Sequence, residues 1–101
     1  MTPEEKYTEI SANIPDITPG KMFGALCLKT PNRKAACMFY KDAMVFKLPE
    51  EMEQEALSLD GAKPFEPMPG RKMGGWTEVP FNYADRWEEF TQASVNYVKT
   101  L

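Results

Sequence analysis

The chain has 101 residues, 43% of them hydrophobic, with 12 Lys and Arg against 15 Asp and Glu, and a formal net charge of −3. That length accommodates one core, so a single domain over residues 1–101 is expected, and the ordinary apolar content excludes a disordered chain. The mild acidity, without a basic tail, argues against a protein built to wrap nucleic acid; no run reaches the roughly 18 apolar residues of a membrane span, and the start MTPEEKYTEI lacks the features of a signal peptide, so a cytoplasmic protein with no membrane contact is expected.

Thr2-Pro3-Glu4-Glu5 predicts a helix start, with a hydroxyl at the cap, proline at the first helical position and a glutamate three residues after the cap. Tyr7, Ile10 and Ile14 then fall on one side, and Pro15 with Thr18-Pro19-Gly20 ends the helix and turns the chain into the first strand. Between Met22 and Leu48, three apolar runs are separated by Pro31-Asn32-Arg33-Lys34 and by Lys41-Asp42. Both connections are too short for a crossover, so they predict a three-stranded antiparallel meander.

Register follows from the side chains. A four-residue loop at Pro31 to Lys34 puts Leu28 across from Cys37 and Leu26 across from Phe39; a two-residue turn at Lys41-Asp42 puts Phe39 across from Met44 and Cys37 across from Phe46. One face is then apolar. A three-residue loop would pair Cys27 with Cys37 and mix Lys29 into that face, because a slip of one residue inverts a strand. On the preferred register the other face is mixed, with Lys29, Ala36 and Lys47 in one row, Cys27, Met38 and Val45 in the next, then Ala25, Tyr40 and Ala43.

Pro49-Glu50-Glu51 opens a second helix with acids opposing its dipole, its apolar side is Met52, Ala56 and Leu59, and Asp60-Gly61 closes it. A short extended piece around Phe65 precedes the loop Pro67 to Lys72, and Met73 to Val79 predicts another strand in which Gly74-Gly75 suggests a bulge. Pro80 stops it, Asn82 with Asp85 resembles a helix cap, and Tyr83, Trp87, Phe90, Ser94, Tyr97 and Leu101 recur at helical spacing. The expected order is α-β-β-β-α-β-β-α, a two-layer α+β sandwich with the final helix as the main layer on an antiparallel sheet.

These residues resemble the TfoX N-terminal domain-like family. The resemblance is carried by Met22-Phe23-Gly24, a Leu-rich strand ending in a polar turn, an aromatic strand before an acidic helix, Pro64-Phe65, Arg71 and Met73 ahead of Trp76, and Glu78-Val79-Pro80 before a final helix. It covers the chain from Lys21 onward and implies the same element order, related to secretion-chaperone-like sandwiches, with no established catalytic residues. Ala25 stands where a second glycine is common in the family, and the competence regulator that names the family has a further domain, so the resemblance does not imply a competence role.

The chain has no histidine, which removes the commonest general base and zinc ligand. No catalytic, metal or cofactor residue is assigned, and a non-enzymatic protein is expected. Cys27 and Cys37 lack CxxC spacing and lie on opposite faces of neighbouring strands, so they are read as unbridged, sheltered thiols. Glu50, Glu51, Glu53 and Glu55 spread around a helix and read as a solvated face rather than a cation site, which would converge about six oxygens.

Two binding candidates remain. Arg71 and Lys72, in a glycine-bearing loop beside Trp76, suit an anionic ligand or nucleic acid, although Gly74-Gly75 as a bulge and Trp76 as core is the simpler reading. The mixed face, with Lys29, Met38, Tyr40, Val45 and Lys47, is too apolar for open water and too polar for a core; either it is an interface or the first helix or the termini partly cover it. Charge is also segregated. Lys21, Lys29, Arg33, Lys34, Lys41 and Lys47 stand against Asp42 alone, whereas Glu50, Glu51, Glu53, Glu55, Asp60 and Glu66 stand against Lys63. The favoured expectation is an interaction module that forms a homodimer or binds a protein partner; the alternative is a regulatory domain for an anionic ligand or nucleic acid.

Overall fold

The computed structural model describes residues 1–22, 24–66, 70 and 74–101. Helix α1 (Pro3–Asn13) is followed by strands β1 (Thr18–Met22), β2 (Ala25–Lys29), β3 (Ala35–Tyr40) and β4 (Ala43–Lys47), helix α2 (Glu50–Leu57), strands β5 (Lys63–Pro64) and β6 (Trp76–Val79), a 3₁₀ turn (Phe81–Tyr83) and helix α3 (Ala84–Val98). The strands form one antiparallel sheet in the order β1-β2-β3-β4-β6-β5, and the helices pack on one side of it. The fold is an α+β sandwich.

Helix α1 starts where the sequence places it. Glu5 N–H donates to Thr2 Oγ1 at 3.1 Å while Thr2 N–H donates to the Glu5 carboxylate at 2.8 Å, a complete capping box. Hydrogen bonding to its carboxylate, from the Thr2 N–H first and the Thr2 hydroxyl second, holds the exposed Glu5 carboxyl below the usual glutamate range. Its buried side, Tyr7 and Ile10, faces the sheet, where the Tyr7 ring meets Phe39 at 5.5 Å.

The central register is the expected one, with Leu26 opposite Phe39, Leu28 opposite Cys37, Cys37 opposite Phe46 and Phe39 opposite Met44. The β2–β3 connection reaches it by a different route. Thr30 N–H donates to the Lys34 carbonyl and Arg33 N–H to the Thr30 carbonyl, so only Pro31, Asn32 and Arg33 form the loop, with Arg33 left-handed at φ 64°. An irregularity at Lys29 then places Ala35 opposite Lys29, and the extra residue restores the register of a four-residue loop. The β3–β4 turn has two left-handed residues, Lys41 (φ 48°) and Asp42 (φ 65°), the signature of a type I′ hairpin.

Strand β1 departs from the expected order. Thr18-Pro19-Gly20 forms an edge strand instead of a turn, paired with β2 from Thr18↔Lys29 to Met22↔Ala25, and the tight reversal uses Gly24 at φ 75°. Pro19 has no N–H to give, and an outermost strand is where that loss is tolerated. At the other end of the chain, Asn82 is not a cap. It lies inside the 3₁₀ turn that follows Pro80, and Tyr83 occupies the cap position of α3 without a side-chain bond; its hydroxyl accepts the Asp60 N–H instead. Gly74-Gly75 makes a turn, with Gly75 at φ 83°, before a strand that begins at Trp76; Met73, the expected start of that strand, lies outside the described residues.

The main core lies between sheet and helices. Leu28, Cys37, Met44, Phe46 and Val79 meet Trp87, Phe90, Val95 and Val98 of α3, with the Phe46 and Phe90 rings 5.6 Å apart. Trp87 is fully buried, and its Nε1–H donates to the Val79 carbonyl at 3.2 Å. Two residues assigned to this core are partly outside it: Leu26, beside the β1 edge, is 37% exposed, and Leu101 lies beyond the end of α3. Asn32 fastens the β2–β3 loop to the last helix, its Nδ2 donating to the carbonyls of Val98 at 3.0 Å and Leu101 at 3.3 Å. Arg86 joins α3 to α2 by bonding Glu55 and Glu89, both at 2.7 Å, across the face of Phe90.

Candidate functional site

The face of the sheet away from the helices carries a second cluster. Cys27, Met38, Val45 and Phe65 are fully buried, with Trp76 at 7% exposure and Met22, Ala35 and Tyr40 packed around them. Of the two readings of this face, an interface or a covered surface, the burial favours the covered one: Met38 and Val45 are core residues and are not available to a partner. Among the described residues, the cluster holds no residue of α1 or of the termini, the expected cover. Phe65 N–H bonds the Trp76 carbonyl, and the Phe65 ring stands edge-on to the half-buried Tyr40 at 5.1 Å. Trp76 is likewise core rather than a stacking platform, since the Lys47 ammonium sits 5.6 Å from its ring centre. Arg71 and Lys72 lie outside the described residues.

Removing the apolar members leaves a row of polar ones. Across the strands, Thr18 stands opposite Lys29, Lys29 opposite Ala35, and Lys47 opposite Trp76. Lys29 and Lys47 therefore flank β3 at the sheet end that carries the β2–β3 loop, where Arg33 and Lys34 are exposed. The two lysines diverge. The Lys29 stem runs over Gly20, where an added methyl group would lie 3.2 Å from its Cε, and the Lys47 stem runs over Trp76; Ala35, opposite Lys29, is partly buried against the second cluster. Among the described residues, Lys29, Arg33, Lys34 and Lys47 make no ion pair; the pairs present are Lys6–Glu9, Lys63–Glu78, Arg86–Glu55 and Arg86–Glu89.

Other features are less suited to chemistry. Burial pushes both thiols up, and Cys27 and Cys37 are unbridged and inaccessible. Among the described residues, no group of three or more Cys, Asp or Glu could hold a metal ion. One open cavity of about 540 Å³ lies beside the start of α1, lined by Thr2, Pro3, Glu4, Glu5, Thr8 and Asp42. A cavity of about 230 Å³ lies between α2 and β6, lined by Glu53, Leu57, Pro64, Gly74, Gly75, Trp76 and Thr77.

The sequence places Lys29 and Lys47 on the mixed face and counts Arg33 and Lys34 with them among the basic residues of a meander suited to an acidic partner or nucleic acid. The hairpin that returns β3 beside β2 puts Arg33 and Lys34 at the same end of the sheet as Lys29 and Lys47. Comparison with protein-family models, curated proteins and solved structures found no match to this chain.

Proposed function

We propose that this chain is a small cytoplasmic, non-enzymatic interaction module that uses the basic row at the β2–β3 end to engage an acidic protein surface, and that it forms a homodimer. The observation that supports this reading is the set of four cations, Lys29, Arg33, Lys34 and Lys47, that share one end of the sheet without ion-pair partners among the described residues. Unpaired charge of one sign on one face favours encounter with the opposite sign. The resemblance to the TfoX N-terminal domain-like family contributes an expectation of fold only. Nucleic acid is the weaker reading, because the ring that would stack on a base is buried beneath Lys47.

Light scattering after size exclusion tests the self-association. A protein concentration of roughly 100 μM in low salt, where charge attraction is least screened, is expected to give the mass of two chains, falling toward one as salt rises. A single-chain mass under all conditions refutes the homodimer.

A further inference from the structure

We infer that two copies meet about a twofold axis at the β2–β3 end of the sheet, the acidic first turn of α2 from each copy seated on the basic row of the other. This inference rests on the functional reading above and specifies its two surfaces. Lys47 closes β4, and only Leu48 and Pro49 separate it from Glu50, so the acidic turn begins at the sheet end that carries Lys29, Arg33, Lys34 and Lys47. Leu48 is buried and its N–H bonds the Gly75 carbonyl at 3.1 Å, which fixes the spacing between the two patches.

The opposite charges are adjacent yet do not pair with each other. The helices lie on one side of the sheet, whereas the Lys29 and Lys47 stems run over the other. Glu55 is taken by Arg86, while Glu50, Glu51 and Glu53 make no ion pair among the described residues. A twofold contact satisfies both patches at once, because every pairing occurs twice, and it closes without leaving a free patch to extend a filament. The dimensions agree. Lys29 and Lys47 leave strands two spacings apart, about 9.6 Å, and their stems diverge over Gly20 and Trp76, so the gap between them admits the roughly 10 Å width that a helix presents.

Charge reversal tests the seating. Lys29→Glu with Lys47→Glu makes both contacts of a homodimer acid against acid, and Glu50→Lys with Glu51→Lys makes both base against base. Each double variant is expected to weaken self-association by about 100-fold or more, as juxtaposed like charges do. Mixing the two variants restores complementarity at both contacts, so sedimentation velocity should show a heterodimer from two species that are monomeric alone. Arg33→Glu with Lys34→Glu, at exposed loop positions, supplies a second acidic-row variant expected to behave like the first, and circular dichroism confirms that each variant folds. Variants that remain dimeric, or a mixture that stays monomeric, overturn the seating while leaving a native homodimer and the functional reading intact. A monomeric native chain removes the homodimer itself.

Discussion

Replacing Ser94 with alanine is expected to stabilise the protein. Ser94 is fully buried in α3, and its hydroxyl has no hydrogen-bond partner, whereas Thr91, one turn earlier, donates its hydroxyl to the Trp87 carbonyl at 2.7 Å. An unpaired hydroxyl held away from water costs about 1–3 kcal/mol, and serine is about 0.5 kcal/mol poorer than alanine inside a helix. The oxygen's lost dispersion contacts offset part of that gain, leaving about 1–2 kcal/mol. For a domain of this size that raises the melting temperature by roughly 4–15 °C and the urea midpoint by about 1 M. Thr91→Val, which removes a hydroxyl that already has a partner, brings no such gain. Urea titration followed by tryptophan fluorescence reads both variants. A midpoint for Ser94→Ala at or below the native one refutes the reasoning, since it means the hydroxyl is satisfied.

Three further outcomes are expected. Asn32→Ala removes the bonds to Val98 and Leu101 and should cost about 1 kcal/mol, with faster amide exchange in the last turn of α3 as its local signature. Lys41→Asn with Asp42→Gly fits the two left-handed positions of the β3–β4 turn and should raise the urea midpoint by an equivalent of about 1 kcal/mol; a lower midpoint would show that the turn is not type I′. Because Glu5 titrates below its ordinary range when folded, its contribution is complete above the unfolded-state pKa and is lost as pH falls through the lowered folded value. Glu5→Gln should therefore flatten that acid-side loss of stability, and an NMR titration of Glu5 with an ordinary midpoint would contradict the capping box.

The core register was legible because it rests on local information: short connections and alternating apolar residues left few ways to pair Leu26, Leu28, Cys37, Phe39, Met44 and Phe46. Strand β1 was not. Thr18-Pro19-Gly20 has the composition of a turn, and it becomes a strand because β2 offers an edge within reach of a two-residue reversal. What covers the second face was not legible for a related reason. Among the described residues, Met38 and Val45 share their cluster with Phe65, a single aromatic in a polar stretch whose ring partner, Tyr40, lies far back in the sequence. Of the candidate site, Lys29 and Lys47 could be placed by alternation alone; their separation from Met38 and Val45 as a polar row depended on what came to lie over the face.

The Asn32 latch ties a loop formed early to carbonyls made 66 and 69 residues later. At the usual pace of a ribosome, the first hairpins wait for on the order of several seconds before the helix that secures their loop exists. During that interval the meander would expose the residues that later contact α3, making the nascent chain most vulnerable to chaperone capture or mispairing just before its final helix emerges.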